Sequence, residues 1–181
     1  MSIPTLYLDK IQDAAQISEG KAKKLMETCV WCLVASEHSN GVTLEVNQDD
    51  ATLPYLLSWP TSLDLEALNR SFNQDDAVEE GAEAVALLVA IDRTDFTAVE
   101  RASTSTGIDY WLGYKDNPPN NPFRRGSRLE ISGIFKEAEN NRVQTRIKGK
   151  LRQTLSTKRT FAVYVIVVEF SKPYATMVLK K

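Results

Sequence analysis

The sequence predicts an α+β (mixed α/β) domain with a central mixed sheet, and three observations carry that expectation. Phe161 to Phe170 (FAVYVIVVEF) is almost continuously apolar, as a strand covered on both faces must be. Thr94 to Lys136 contains three successive strand-like runs, either alternating in polarity or rich in β-branched and aromatic residues. Segments with helical apolar spacing lie on both sides of that stretch. The resulting order is helix, three strands, helix, strand. A helical and β extension precedes it: residues 1–60 read as a helical hairpin with short strands, packed on a core formed by residues 61–181. At 181 residues the chain is long enough to bury a substantial core as one domain with a small appendage.

Taken in order, Asp9 and Ser18 have the short polar side chains that cap helices. A short helical piece is expected from Ile11 to Ile17 and a longer helix from Glu19 to Ala35, with Ala22, Leu25, Cys29 and Leu33 at apolar spacing. The tight join admits a helix-turn-helix reading, with Lys21, Lys23 and Lys24 early in the second helix. A helical hairpin packed on the domain is the favoured one. Cys29 and Cys32 form a C-x-x-C followed by the single histidine, His38. They fall late in a helix, whereas a thioredoxin-like redox pair sits at a helix start. A zinc site would have to recruit Glu27 or Glu37 to complete four ligands. Core thiols are the favoured reading.

Asn40-Gly41 signals a turn into a strand from Val42 to Val46, after which Gln48 to Pro60 reads as a loop, with Tyr55 to Trp59 an alternative short strand. Leu63 to Phe72 is helical, and Asn73-Gln74-Asp75-Asp76 caps a helix from Ala77 to about Ile91 that carries Glu79, Glu80 and Glu83. The strand runs that follow are Asp95 to Ala102, Ile108 to Tyr114 and Arg128 to Phe135. In the second, Asp109 and Trp111 face away from Tyr110 and Leu112; in the third, Glu130 and Ser132 face away from Leu129 and Ile131. Adjacent strands would therefore set Asp109 and Glu130 side by side. Two such carboxylates repel unless a proton or a cation lies between them, which a metal site would explain.

Between the second and third runs, the connection KDNPPNNPFRRG carries Arg124 and Arg125. From Glu137 the chain turns helical, and Arg142, Arg146 and Lys150, spaced by four, form a basic stripe. On a chain with net charge −2 and pI near 5.5, nucleic-acid binding has to come from such local patches, here Arg124, Arg125, Arg142, Arg146 and Lys150. Tyr174 to Leu179 is expected to be a last strand, at a sheet edge open to a partner.

With these residues in place, the chain resembles the PD-(D/E)xK nuclease-like superfamily, whose αβββαβ core has this element order. The resemblance covers residues 76 to 170. It implies that Asp109 is the first acid, Glu130 the second, and Glu83 or Glu80 the helix acid of a catalytic site, with Asp109 and Glu130 holding Mg²⁺ if the site is active. Ser132 stands where that family has its lysine, and Lys115 or Lys148 are the candidates to replace it. The favoured function is a catalytically degenerate nuclease-like accessory or assembly subunit of a prokaryotic nucleic-acid-related or genome-defence complex, a setting implied by the resemblance alone. The alternatives are an active Mg²⁺-dependent nuclease using Asp109 and Glu130, and a plain interaction domain in which those acids pair with Arg124, Arg125 or Arg128. The expected partners are proteins or a second copy of the chain, with nucleic acid along the basic stripe.

No Walker loop, G-x-G-x-x-G, G-x-S-x-G or H-E-x-x-H motif occurs. No apolar run approaches the length of a membrane span. The amino end lacks a basic region followed by an apolar core, so a cytoplasmic location is expected.

Overall fold

The computed structural model describes residues 2–104, 106–154 and 161–180. The elements are β1 (Thr5–Tyr7), a 3-10 turn (Leu8–Lys10), α1 (Ile11–Ala15), α2 (Glu19–Ala35), β2 (Val42–Gln48), β3 (Ala51–Ser58), α3 (Leu65–Ser71) and α4 (Gln74–Arg93). They are followed by β4 (Phe96–Arg101), β5 (Tyr110–Tyr114), β6 (Arg125–Ile134), α5 (Val143–Gln153), β7 (Val163–Glu169) and β8 (Tyr174–Lys180). The eight strands join in one mixed sheet of order β1-β3-β2-β8-β7-β6-β5-β4. β4, β5 and β6 form an antiparallel meander, α5 crosses over, and β7 returns parallel to β6. The domain is thus mixed α/β, with the expected helix, three strands, helix, strand order in its second half.

The pleat sorts the side chains onto two faces. Leu129, Ile131, Ile166 and Val168 join the larger core with α1, α2 and α4. Their alternates Ile134, Val165 and Val167 pack instead with Val143 and Ile147 of α5. β7 is covered on both faces, which explains its unbroken apolar run. At the other end of the sheet only one face is covered, since Leu44 and Val46 are buried while Thr43 and Glu45 are exposed. α2 packs along α4, and its lysines are used there: Lys21 Nζ lies 3.1 Å from Glu83 and Lys24 Nζ 2.6 Å from Glu80. The first two helices therefore form a hairpin packed on the core.

Several boundaries differ from the sequence reading. Residues 51–58, expected as loop with Tyr55 to Trp59 an alternative short strand, are a full strand entered by a two-residue turn. Asp49 and Asp50 both have positive φ, 49° and 63°, the backbone a tight hairpin requires, although neither is the glycine that usually marks it. Pro54 is tolerated because Glu45, opposite it, donates its N–H to Pro173 on the β8 side, so the proline nitrogen faces outward, where β1 pairs only with residues 56–58. β8 is no edge strand. It lies between β7 and β2, parallel to β2, and the edges are β1 and β4. Asp9 caps nothing; it lies within the 3-10 turn, and the residue before α1 is Lys10. Ser18 and Asn73 do cap their helices, accepting from the N–H of Lys21 and Asp76. α5 begins only at Val143, whose N–H is capped by the Glu137 carboxylate at 2.7 Å.

Candidate functional site

Asp109 immediately precedes β5. Its N–H donates to the Leu129 carbonyl and its carbonyl accepts from Ala102, both at 2.8 Å, so the sheet ladder holds its backbone from both sides. Because Tyr110 pairs with Leu129, Asp109 and Glu130 fall on the same face, the α5 face. Asp109 Oδ2 accepts from the Ile131 N–H at 2.8 Å. Glu130 is buried, only 4% exposed. Burial pushes its pKa up, and the charge of Asp109 and a hydrogen bond with it push the same way, whereas Lys150 pulls it down; the result is about 7.

The lysine at this acid pair is Lys150, whose Nζ donates to Glu130 Oε1 at 2.5 Å. Two residues after the acid on the strand, where the superfamily that the sequence resembles has a lysine, stands Ser132. Lys150 reaches the same carboxylate from the neighbouring helix. Neither expected substitute does. Lys115 Nζ donates to the carbonyls of Ile91 and Thr94 at the end of α4. Lys148 is exposed, two residues from Lys150 and so on another side of the helix. A signal for Lys150 was present in the sequence. It lies seven residues after the buried Val143 and three after the buried Ile147, which puts it on the inward side of α5.

One cleft is lined by this pair and a second by Lys150 beside it. Asp109 and Glu130 line one of about 350 Å³, together with Arg101, Ser103, Thr104 and Gly107. Ser132 and Lys150 line the other, about 450 Å³, with Asp75 and Glu79 of α4, Lys136, and Arg146. Arg146 donates to Asn141 Oδ1 at 2.7 Å and lies 3.5 Å from Ser132 Oγ. Lys150 and Arg146, expected as nucleic-acid contacts, therefore stand at the acid pair and beside it.

The other expected residues are elsewhere. Glu83 is buried on the opposite side of the sheet, held by Lys21 Nζ at 3.1 Å, Arg101 Nη1 at 2.9 Å and the Tyr110 hydroxyl. Glu80 pairs with Lys24. The α4 carboxylates that line a cleft beside Lys150 are Glu79 and Asp75, about one and two turns nearer the helix start than Glu83. Arg124 lies in the exposed connection. Arg125 pairs with Glu100 at 2.5 Å and stacks over Trp111. Arg142 is the exposed residue before α5 and lines a further cleft with Arg146 and Lys150. Arg128 is buried, donates to the Phe161 carbonyl at 2.6 Å, and has no partner at Nε or Nη1 among the described residues. Among the described residues, then, the Asp109 and Glu130 carboxylates are not paired with Arg124, Arg125 or Arg128.

Cys29 and Cys32 are buried free thiols, and burial pushes both pKa values up, Cys32 to about 12. His38 Nε2 lies 3.1 Å from the carbonyls of Phe170 and Ser171, to which its N–H donates. The motif is part of the packing between α2, α4 and the end of β7.

Among the described residues no three His, Cys, Asp or Glu side chains converge as a metal ligand set. Mg²⁺ is commonly bound through one or two carboxylates, its remaining positions filled by water and substrate phosphate. Asp109, which accepts from the Ile131 N–H, and Glu130, which accepts from Lys150, are two carboxylates of that kind. No family model matches this sequence, and no curated protein matches it. Among the described residues no helix is long and apolar enough to cross a membrane.

Proposed function

We propose that the chain is a nuclease-like domain whose Asp109, Glu130 and Lys150 act on a nucleic-acid phosphodiester with a divalent cation. One observation carries this reading: Lys150 Nζ lies 2.5 Å from the carboxylate of Glu130, beside Asp109, so the positive charge that Ser132 cannot supply comes from α5. Asp109 and Glu130 are the residues that would hold the cation. When bound, a cation of this kind polarises the phosphate and acidifies a coordinated water. Lys150 has the charge to orient that water and to stabilise the negative charge that develops on the phosphoryl oxygens. Hydrolysis adds the water oxygen to phosphorus, breaks one phosphorus–oxygen ester bond and returns a proton to the leaving oxygen. Ser132 and Arg146, at the mouth of the neighbouring cleft, supply a hydroxyl and a guanidinium for an adjacent phosphate.

The test is cleavage of supercoiled plasmid and of labelled single- and double-stranded oligonucleotides, DNA and RNA, with Mg²⁺ or Mn²⁺. Asp109→Asn and Glu130→Gln should abolish cleavage, and Lys150→Met should slow it by about 10²–10⁴-fold. Cleavage that survives Asp109→Asn would overturn the assignment.

A second reading is the non-cutting accessory or assembly subunit, in a prokaryotic nucleic-acid-related or genome-defence complex. It is favoured by the small ligand set: among the described residues no third carboxylate, His or Cys joins Asp109 and Glu130, and Glu130 is already ion-paired with Lys150. In that case Mn²⁺ raises the melting temperature of the wild type and not of Asp109→Asn, no substrate is cut, and a protein partner copurifies from the native host.

A further inference from the structure

Arg101 ends the edge strand β4 and pairs with Tyr110 of β5, so the two side chains share one face of the sheet. It is the face covered by α4, because the Tyr110 hydroxyl and Arg101 Nη1 both donate to Glu83 of that helix, the latter at 2.9 Å. Beside them the chain turns from α1 into α2. Gln16 ends α1 with a left-handed φ of 53°. Thr97 of β4 donates its hydroxyl to the Ala14 carbonyl at 3.3 Å, which holds α1 against the strand. Between that turn and β4 lies a pocket of about 270 Å³, lined by neither Asp109 nor Glu130.

Its walls divide by chemistry. Ala15, Ile17 and Ala98 are apolar, and Lys21 and Arg101 are cations. Glu83 is buried and does not line the pocket; it pairs with Lys21 at 3.1 Å and Arg101 at 2.9 Å. One carboxylate against two cations leaves one surplus positive charge. The acid on the wall, Glu100, does not cancel it, since its carboxylate is held by Arg125 at 2.5 Å. Ser18, the N-cap of α2, also lines the pocket, so the positive end of that helix adds to the same sign. Glu19 in its first turn is exposed and lies off the wall.

Both cations keep donors to spare. Among the described residues the Arg101 guanidinium bonds only through Nη1, and the Lys21 ammonium makes one hydrogen bond, fewer than either group can donate. Their side chains are 52% and 29% exposed.

We infer that this pocket binds a small monocarboxylate with a short apolar body, its carboxylate on Lys21 and Arg101 and its hydrocarbon against Ala15, Ile17 and Ala98. A single surplus charge matches one carboxylate better than the nearly double charge of a phosphate group. The planar guanidinium fork suits two carboxylate oxygens, and the apolar wall takes the hydrocarbon out of water. The volume lies just below the roughly 300 Å³ at which pockets for drug-sized ligands begin, so the occupant is small. The inference does not rest on the nuclease-like reading, because the pocket lies on the opposite face of the sheet from the acid pair.

The experiment adds isovalerate, its neutral amide isovaleramide, or inorganic phosphate to the isotope-labelled full chain and follows the backbone amide resonances. Isovalerate should give saturable shifts at Ile17, Lys21, Ala98 and Arg101, and isovaleramide should bind about tenfold more weakly, the size of a lost charge-assisted hydrogen bond. Lys21→Met and Arg101→Lys should each weaken isovalerate binding by about tenfold. The second variant keeps an ion pair with Glu83 while losing the planar fork, so it separates recognition from folding. Equal binding of acid and amide, or no saturable shift at these residues in the wild type, would overturn the inference. Tighter binding of phosphate than of isovalerate would overturn the choice of a carboxylate. Undiminished isovalerate affinity in both variants would show that Lys21 and Arg101 only brace Glu83.

Discussion

At Glu130 two influences oppose each other. Burial and the neighbouring Asp109 carboxylate favour the protonated acid, while the Lys150 ammonium favours the ionised one. The first set prevails, so the folded pKa, about 7, lies above the ordinary glutamate value of 4.5. The folded protein therefore binds more protons than the unfolded chain between those values, and this group's contribution to stability is present at low pH and lost as pH rises through that window. A cation requires the ionised pair, so the Mn²⁺ thermal shift should be larger at about pH 8 than at about pH 6, and Glu130→Gln should remove the difference. Lys150→Met removes the ammonium that draws Glu130 toward ionisation. Its destabilisation, read by urea unfolding, should be greater at about pH 8 than at about pH 5. It should stay below the roughly 3–5 kcal/mol typical of breaking a buried pair, because Glu130 can take up a proton instead.

At the scale of elements, the site depends on how closely α4 lies on β6. A Cβ built on Gly133 would come within 2.3 Å of the Val78 carbonyl oxygen and 2.7 Å of its side chain, so only glycine lets the helix approach that strand. Gly133 follows Ser132 and lines the same cleft. Gly133→Ala is expected to lower stability by about 1–3 kcal/mol, the usual range for overpacking, and to weaken metal binding as α4 is pushed away. Equal urea midpoints for the variant and wild type would count against that packing. The start of α4 is a separate, smaller contribution. Asn73→Ala should cost about 1 kcal/mol through loss of the cap, whereas Asp9→Ala, which removes no cap, should leave the urea midpoint unchanged.

Across the whole molecule, α2 and α4 form a continuous apolar layer with the sheet, and Cys29 and Cys32 lie inside it with no exposed surface. Gly81 of α4 faces Cys29 closely enough that an added Cβ would meet its Cα at 3.0 Å. Neither thiol can be reached without separating the two helices. Labelling by a thiol reagent should therefore be silent in the native state, and its rate should rise with urea in step with global unfolding. Fast labelling of either cysteine in the native protein would show instead that the helical hairpin opens on its own.

The sequence by itself determined the mixed α/β class and the order of the core elements, because those follow from local periodicity: the unbroken apolar β7, the alternating faces of β5 and β6, and the caps at Ser18 and Asn73. The same alternation set Asp109 and Glu130 on one face. β3 was legible only in part, as the alternative short strand from Tyr55 to Trp59, because its turn is Asp49-Asp50 and it contains Pro54, both of which read as loop until the partners on either side are known. The lysine at the acid pair and the fate of Glu83 were decided only in three dimensions. A crossover helix can set Lys150 on Glu130 from twenty residues away in sequence, and Glu83 turns to Tyr110 and Arg101 because α4 lies on the far side of the sheet from that acid pair. Periodicity tells which face a side chain takes. Which charge it meets there depends on how helices and strands from distant parts of the chain are laid against one another.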